Sequence, residues 1–175
     1  MQVATKESQT FLMFTLGEET FAFSVSKVRE VLELSRITPV PESPPAMEGI
    51  VNLRGSILPV VSIRSKFGME KIEPTRRSRI IVLDIHTEQG SLALGALVDA
   101  VTDVAEISLA DILPPPDGND LKKAEYIVGV VRKDEEFILL VDGEKVFSQE
   151  ETVALSSSLK PSEATSSLAS VTLNE

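Results

Sequence analysis

Few residues of this chain have the type and spacing for covalent chemistry. The one histidine, His86, stands in a predicted turn without a second histidine at helical spacing or a G-x-S-x-G elbow nearby. It reads as a solvated turn residue. The carboxylates Asp84, Asp99 and Asp103 are near enough in sequence to cluster, and a carboxylate pair could exchange protons with a substrate. Single aspartates at strand ends more commonly serve solvation and turn formation. The chain has no cysteine, which removes disulfides, thiolate metal ligands and thiol nucleophiles together. No glycine-rich phosphate loop follows a strand, and neither EF-hand nor lipidation spacing is present. The expectation is therefore no catalytic residue, no metal and no cofactor, with binding as the default activity.

The charge best placed for recognition is Arg54. With Gly55 it separates the apolar runs 49–53 and 57–62, so the chain must reverse there as a hairpin with the arginine at its tip. A type I turn closed by a left-handed Gly55 suits this pair. Pro59 gives no amide to a ladder, which predicts an edge strand or a bulge. The run Arg76-Arg77-Ser78-Arg79 precedes an apolar strand and reads as a solvated loop. A net charge of -10 and a sequence pI near 4.7 oppose nucleic acid or anionic lipid as partners. No apolar run approaches the roughly 20 residues that cross a bilayer, and the first ten residues lack the apolar stretch of a signal peptide. A soluble protein without direct membrane insertion is expected, and a cysteine-free chain is compatible with the cytoplasm.

The elements that must position these groups are mostly short strands. Runs 11–16 and 20–25 form one hairpin, the Arg54 hairpin is a second, 80–85 with 91–98 a third, and 126–131 with 137–141 a fourth. Val25, Val28, Val31 and Leu32 recur at helical spacing after Ser24 or Ser26, predicting a short helix with Lys27, Arg29, Glu30 and Glu33 outward. Four prolines keep 37–45 extended, and 63–68 reads as one helical turn stopped by Gly68. Over 99–108, Val101, Val104 and Ile107 are expected inward. A helix is expected over 148–155 and a disordered serine-rich tail over 156–175. No internal repeat is legible. Many short strands with few helices call for an all-β barrel or sandwich.

Six segments then follow in order: FLMFTLGEE (11–19), VSKVREV (25–31), GIVNLRG (49–55), ILPVV (57–61), LVD (97–99) and LLVD (139–142). Together they resemble the CheW family of bacterial chemotaxis coupling proteins over about residues 11–147. The resemblance implies a mainly all-β fold of two SH3-like five-stranded β-barrel subdomains sharing a hydrophobic core. It also implies a non-enzymatic cytoplasmic adaptor, recruited to membrane receptor arrays. Its partners would be the regulatory domain of the histidine kinase CheA and the cytoplasmic tip of methyl-accepting chemoreceptors. The receptor's helical hairpin lies in an apolar groove between the barrels, whose lining matches Leu12, Val25, Val28, Val31, Leu94 and Gly95. Coupling and kinase contact match Glu30, Asn52, Leu53, Arg54 and Gly55, and an ion pair between Glu30 and Arg54 is expected. Ser62 departs from an aspartate frequent in the family. Two alternatives are an adaptor of another chemosensory pathway (pilus motility, or a CheV-like protein) and a small β-barrel enzyme or ligand carrier, which would show a closed polar pocket.

Overall fold

The computed structural model describes residues 7–88, 90–115 and 125–147, so the helix expected over 148–155 and the tail over 156–175 lie outside the described residues. The alternating apolar runs become strands β1 (Ser8–Leu16), β2 (Glu19–Ser24), β3 (Val28–Glu33), β4 (Met47–Leu53), β5 (Ser56–Ser62), β6 (Arg79–Thr87), β7 (Gly90–Val98), β8 (Ala100–Ser108), β9 (Ile127–Lys133) and β10 (Glu136–Val141). Single-turn helices α1 (Ile63–Lys66) and α2 (Gly143–Val146) follow β5 and β10. All four expected hairpins form, as β1–β2, β4–β5, β6–β7 and β9–β10.

The strands make two five-stranded sheets, β8-β1-β2-β10-β9 and β3-β6-β7-β5-β4. Past its first strand each sheet curls closed: Thr38, beyond β3, bridges Ile50 of β4, and Leu113, beyond β8, bridges Val130 of β9. Two small barrels result, here called A (β8, β1, β2, β10, β9) and B. Closure brings backbone against backbone. A side chain on Gly49 would put its Cβ 2.2 Å from the Thr38 carbonyl oxygen, and one on Gly129 would lie 2.5 Å from Ile112 Cγ2.

The orders are the same once β3 to β7 are matched with β8, β9, β10, β1 and β2. Each barrel joins its hairpins through a parallel pair, β5 with β7 and β10 with β2. Ser62 and Asp142 cap α1 and α2 alike, accepting from Ser65 N–H and Glu144 N–H, and Phe67 and Phe147 are both buried just beyond. The sequence of β3 and its next residues, VREVLELS, echoes VTDVAEIS of β8. The chain therefore does contain a repeat. It escaped the sequence reading because the second unit is split, with its last two strands at the N-terminal end.

Each barrel has its own interior, and a third cluster lies between them. Phe11, Met13, Ala22, Ile107, Val131, Ile138 and Leu140 fill barrel A; Val51, Leu58, Val60, Ile80 and Val82 fill barrel B. The opposite faces of the same strands meet in the shared core of Leu12, Phe14, Phe21, Phe23, Ile81, Leu83 and Leu94, closed by Val146 and Phe147. Phe14 stacks on Phe21 and Phe23 at centroid distances of 5.7 and 4.7 Å. Burying one such ring contributes about 1.5–3 kcal/mol. Strand β6 is apolar on both faces because Ile80 and Val82 serve barrel B while Ile81, Leu83 and Ile85 serve the shared core.

Three expectations are corrected. The helix over Val25 to Leu32 is a 3-10 turn, Val25–Lys27, followed by strand β3. A bulge between Val28 and Glu30 leaves Arg29 outside the register and puts Val28 and Val31 opposite Leu83 and Ile81, on one face. That extra residue produces a three-residue apolar spacing which imitates a helix. A register shift in the β1–β8 pair likewise puts Val101 opposite Phe14 and Val104 opposite Leu12; Ile107 and Val101 turn inward or half-inward, but Val104 is exposed. Finally, β5 is neither an edge strand nor bulged at Pro59: β4 and β7 flank it, and the register shift of the β4–β5 pair falls between Met47 and Gly49 of β4. Ile50 gives both its backbone groups to Thr38, so its pairing with Pro59 is of the non-hydrogen-bonded kind. The Pro59 nitrogen faces the other side, where pairing with β7 begins only at Val60.

Candidate functional site: a charged hairpin tip and an inter-barrel groove

Leu53 pairs with Ser56, leaving Arg54 and Gly55 as a two-residue loop. Their φ angles are +48° and +85°, the signature of a type I′ turn, which corrects the expected type I form. A two-residue loop must match the right-handed twist of its strands, and the primed turn does so. Asn52 supports it by accepting the Gly55 N–H through Oδ1 at 2.9 Å. Leu53 packs against the interior of barrel B.

The Arg54 side chain is 70% exposed, yet it is oriented. Its Nη1 donates to Glu30 Oε1 at 3.3 Å and its Nη2 to Glu30 Oε2. The hydrogen bond from Arg54 holds the Glu30 carboxyl below its usual pKa, and Glu30 in turn raises that of Arg54. Glu30 comes from β3 rather than from a helix, and on the same strand Arg29 pairs with Asp84 of β6. Of the residues expected at the coupling face, Glu30, Asn52, Arg54 and Gly55 are brought together by direct bonds, with Leu53 beneath them.

The apolar positions divide differently. Val28 and Val31 stand on the edge strand β3 at the margin of the shared core, Val31 being 38% exposed; Val25, in the adjoining 3-10 turn that packs on β1, is 37% exposed. Leu12 and Leu94, at 6% and 0% exposure, belong to that core itself and have no surface to offer, which corrects their placement as groove lining. Gly95 is corrected too. A Cβ there would lie 2.7 Å from Ile80 Cγ2 and 3.2 Å from Leu58 Cδ2, so its smallness serves the barrel B interior and not a docked helix. Val104, which sequence reasoning missed as a surface residue, is 54% exposed and directly opposite Leu12 on the inter-barrel face of β8. The repeat could have found it, because Val104 occupies in VTDV the place of Val31 in VREV.

The candidate chemical groups are dispersed. Asp84 is engaged by Arg29, Asp99 by Arg64, and Asp103 Oδ1 by the Val104 amide. His86 lies within β6 instead of the expected turn, its amide donating to Glu144 Oε1 at 3.3 Å. Ser62, where the family often has an aspartate, is buried and caps α1.

The CheW-like domain family matches residues 10–151. A chemotaxis protein CheW of Rhizobium meliloti is 35% identical over 151 residues, covering 86% of this chain and 94% of the relative. One of Klebsiella aerogenes is 34% identical over 143 residues, covering 82% and 84%. The crystal structure of the scaffolding protein TtCheW from Thermoanaerobacter tengcongensis superposes with a TM-score of 0.72 at 31% identity, covering 83% of this chain and 96% of that one. With the twin barrels, their shared core and the ordered segments all agreeing, the chain belongs to the CheW-like domain family.

Proposed function

We propose that this chain is a chemotaxis scaffold that works entirely through surfaces. The groove between its barrels takes a helical segment of a chemoreceptor's cytoplasmic tip, and the Arg54 face meets the regulatory domain of the histidine kinase CheA. The observation carrying this reading is the pair of edge strands, β3 and β8, that present Val31 and Val104 at the margin of one continuous apolar core. An amphipathic helix laid between them would extend that core by its own apolar stripe. The role needs no reacting group, and no enzymatic activity is assigned. Among the described residues no helix is long and apolar enough to cross a membrane; attachment to the membrane would come through the receptor, on its cytoplasmic side.

Binding of the purified protein to a receptor-tip fragment and to the CheA regulatory domain tests this. Val31→Glu places a charge at the groove margin and should weaken receptor binding by about tenfold or more while kinase binding persists. Arg54→Ala should give the converse. Receptor binding that survives both Val31→Glu and Val104→Glu overturns the groove assignment.

A further inference from the structure

The chain crosses between barrels at two places that the repeat makes equivalent, and each crossing is fastened by an ion pair of opposite sense. At the crossing from β7 to β8, Asp99 accepts from Arg64 Nε at 2.9 Å, from Arg64 Nη2 at 2.6 Å and from the Gly17 amide at 2.7 Å. Its own amide donates to the Thr15 carbonyl at 3.1 Å. Arg64 belongs to α1 of barrel B, whereas Gly17 and Thr15 belong to barrel A. The side chains of Arg64 and Asp99 are 14% and 18% exposed. At the crossing from β2 to β3, Lys27 meets Glu144 of α2 through a single contact of 3.2 Å in more open surroundings, and Glu144 also accepts from the His86 amide of β6 at 3.3 Å. Glu144 holds in α2 the place of Arg64 in α1.

These fastenings lie at opposite ends of β1. Thr15 pairs with Ala100 beside Asp99, while Phe11 pairs with Ser24 beside the Val25–Lys27 turn that flanks the groove. We infer that Arg64 and Asp99 are positioning residues that set the angle between the barrels from the end remote from the groove, and so fix the width between β3 and β8. A bidentate guanidinium–carboxylate pair is directional as well as attractive. One carboxylate that also holds a backbone amide of barrel A leaves two rigid bodies little freedom to rotate. Glu144 likewise holds a backbone amide of the other barrel, but its cation makes one contact instead of two and both side chains are more exposed, so that fastening resists opening less. The inference rests on the groove reading for its consequence, though not for its geometry.

The absence of cysteine allows a direct test. Spin labels on Glu33→Cys and Glu106→Cys, exposed residues of β3 and β8, report the distance across the groove. In Asp99→Asn and Arg64→Lys the distance distribution should broaden and shift, whereas Lys27→Met should change it little. Affinity for a receptor-tip helical hairpin should fall about tenfold in the first two, with binding to the CheA regulatory domain unchanged. An unaltered distribution in folded Asp99→Asn and Arg64→Lys overturns the inference, and so does loss of the cooperative melt in both, which would make the pair a support of the fold alone. Failure of the unsubstituted protein to bind the hairpin would instead count against the groove, while the distances still judge the clasp.

Discussion

Arg54 lies mostly in solvent, and its use to the molecule is direction rather than adhesion. A type I′ turn aims it and Glu30 receives it with both oxygens. Exchanging the charges, Glu30→Arg with Arg54→Glu, should leave the melting temperature close to that of the parent. Either single reversal should abolish stimulation of kinase activity in reconstituted receptor–kinase assemblies, and the double exchange should restore part of it if orientation alone matters. Asp99 is the contrasting case. Burial opposes its ionisation, but the Arg64 hydrogen bond and the Gly17 amide outweigh burial and leave its pKa below the ordinary 3.8. Its stabilising contribution is therefore complete above that value and is lost as pH falls through the lower folded-state value. Urea unfolding followed from neutral pH to about pH 2 should show a shallower acid loss in Asp99→Asn than in the parent. At this scale the sequence was readable where a residue acts locally, as at Arg54 and Gly55. It was unreadable at Leu94 and Gly95, because a groove lining and a core wall share one composition.

Elements were recognised wherever their period was clean, as in the four hairpins, and misread where a bulge shifted it. In β3 the extra residue Arg29 gives Val28 and Val31 a shared face, and periodicity has no means of separating that from a helical turn of similar spacing. Barrel closure was equally hidden, since Thr38 and Leu113 each contribute one bridge from otherwise irregular chain. Its physical signature is a pair of glycines. Gly49→Ala meets fixed backbone and also carries a φ of +147°, so it should cost about 2–3 kcal/mol in urea unfolding, at the upper end of overpacking penalties. Gly129→Ala meets first a side-chain methyl of Ile112, which yields more readily, and the loss should be smaller. Equal losses at the two sites would show that closure does not depend on close backbone approach in barrel B.

The molecule as a whole is one five-strand plan used twice, with the second copy cut and its halves placed at either end of the first. Barrel B is continuous from β3 to β7, while barrel A needs β1 and β2 from one side and β8 to β10 from the other. Removing everything after Lys133 deletes Ile138 and Leu140 from barrel A and Val141, Val146 and Phe147 from the shared core. Such a chain should lose its cooperative thermal transition altogether, as followed by near-ultraviolet circular dichroism. The number of hairpins was legible from composition and turns, but the pairing of β2 with β10 joins residues far apart in sequence and leaves no local trace. The divided plan bears on synthesis at the ribosome. The β1–β2 ribbon emerges first, and its parallel neighbour β10 follows more than a hundred residues later, on the order of ten seconds at roughly 5–20 residues per second. Throughout that wait Phe11 and Met13 form a greasy nascent surface without the cover that Ile138 and Leu140 bring to barrel A, and a chaperone that shields the newborn ribbon would govern the yield of finished protein.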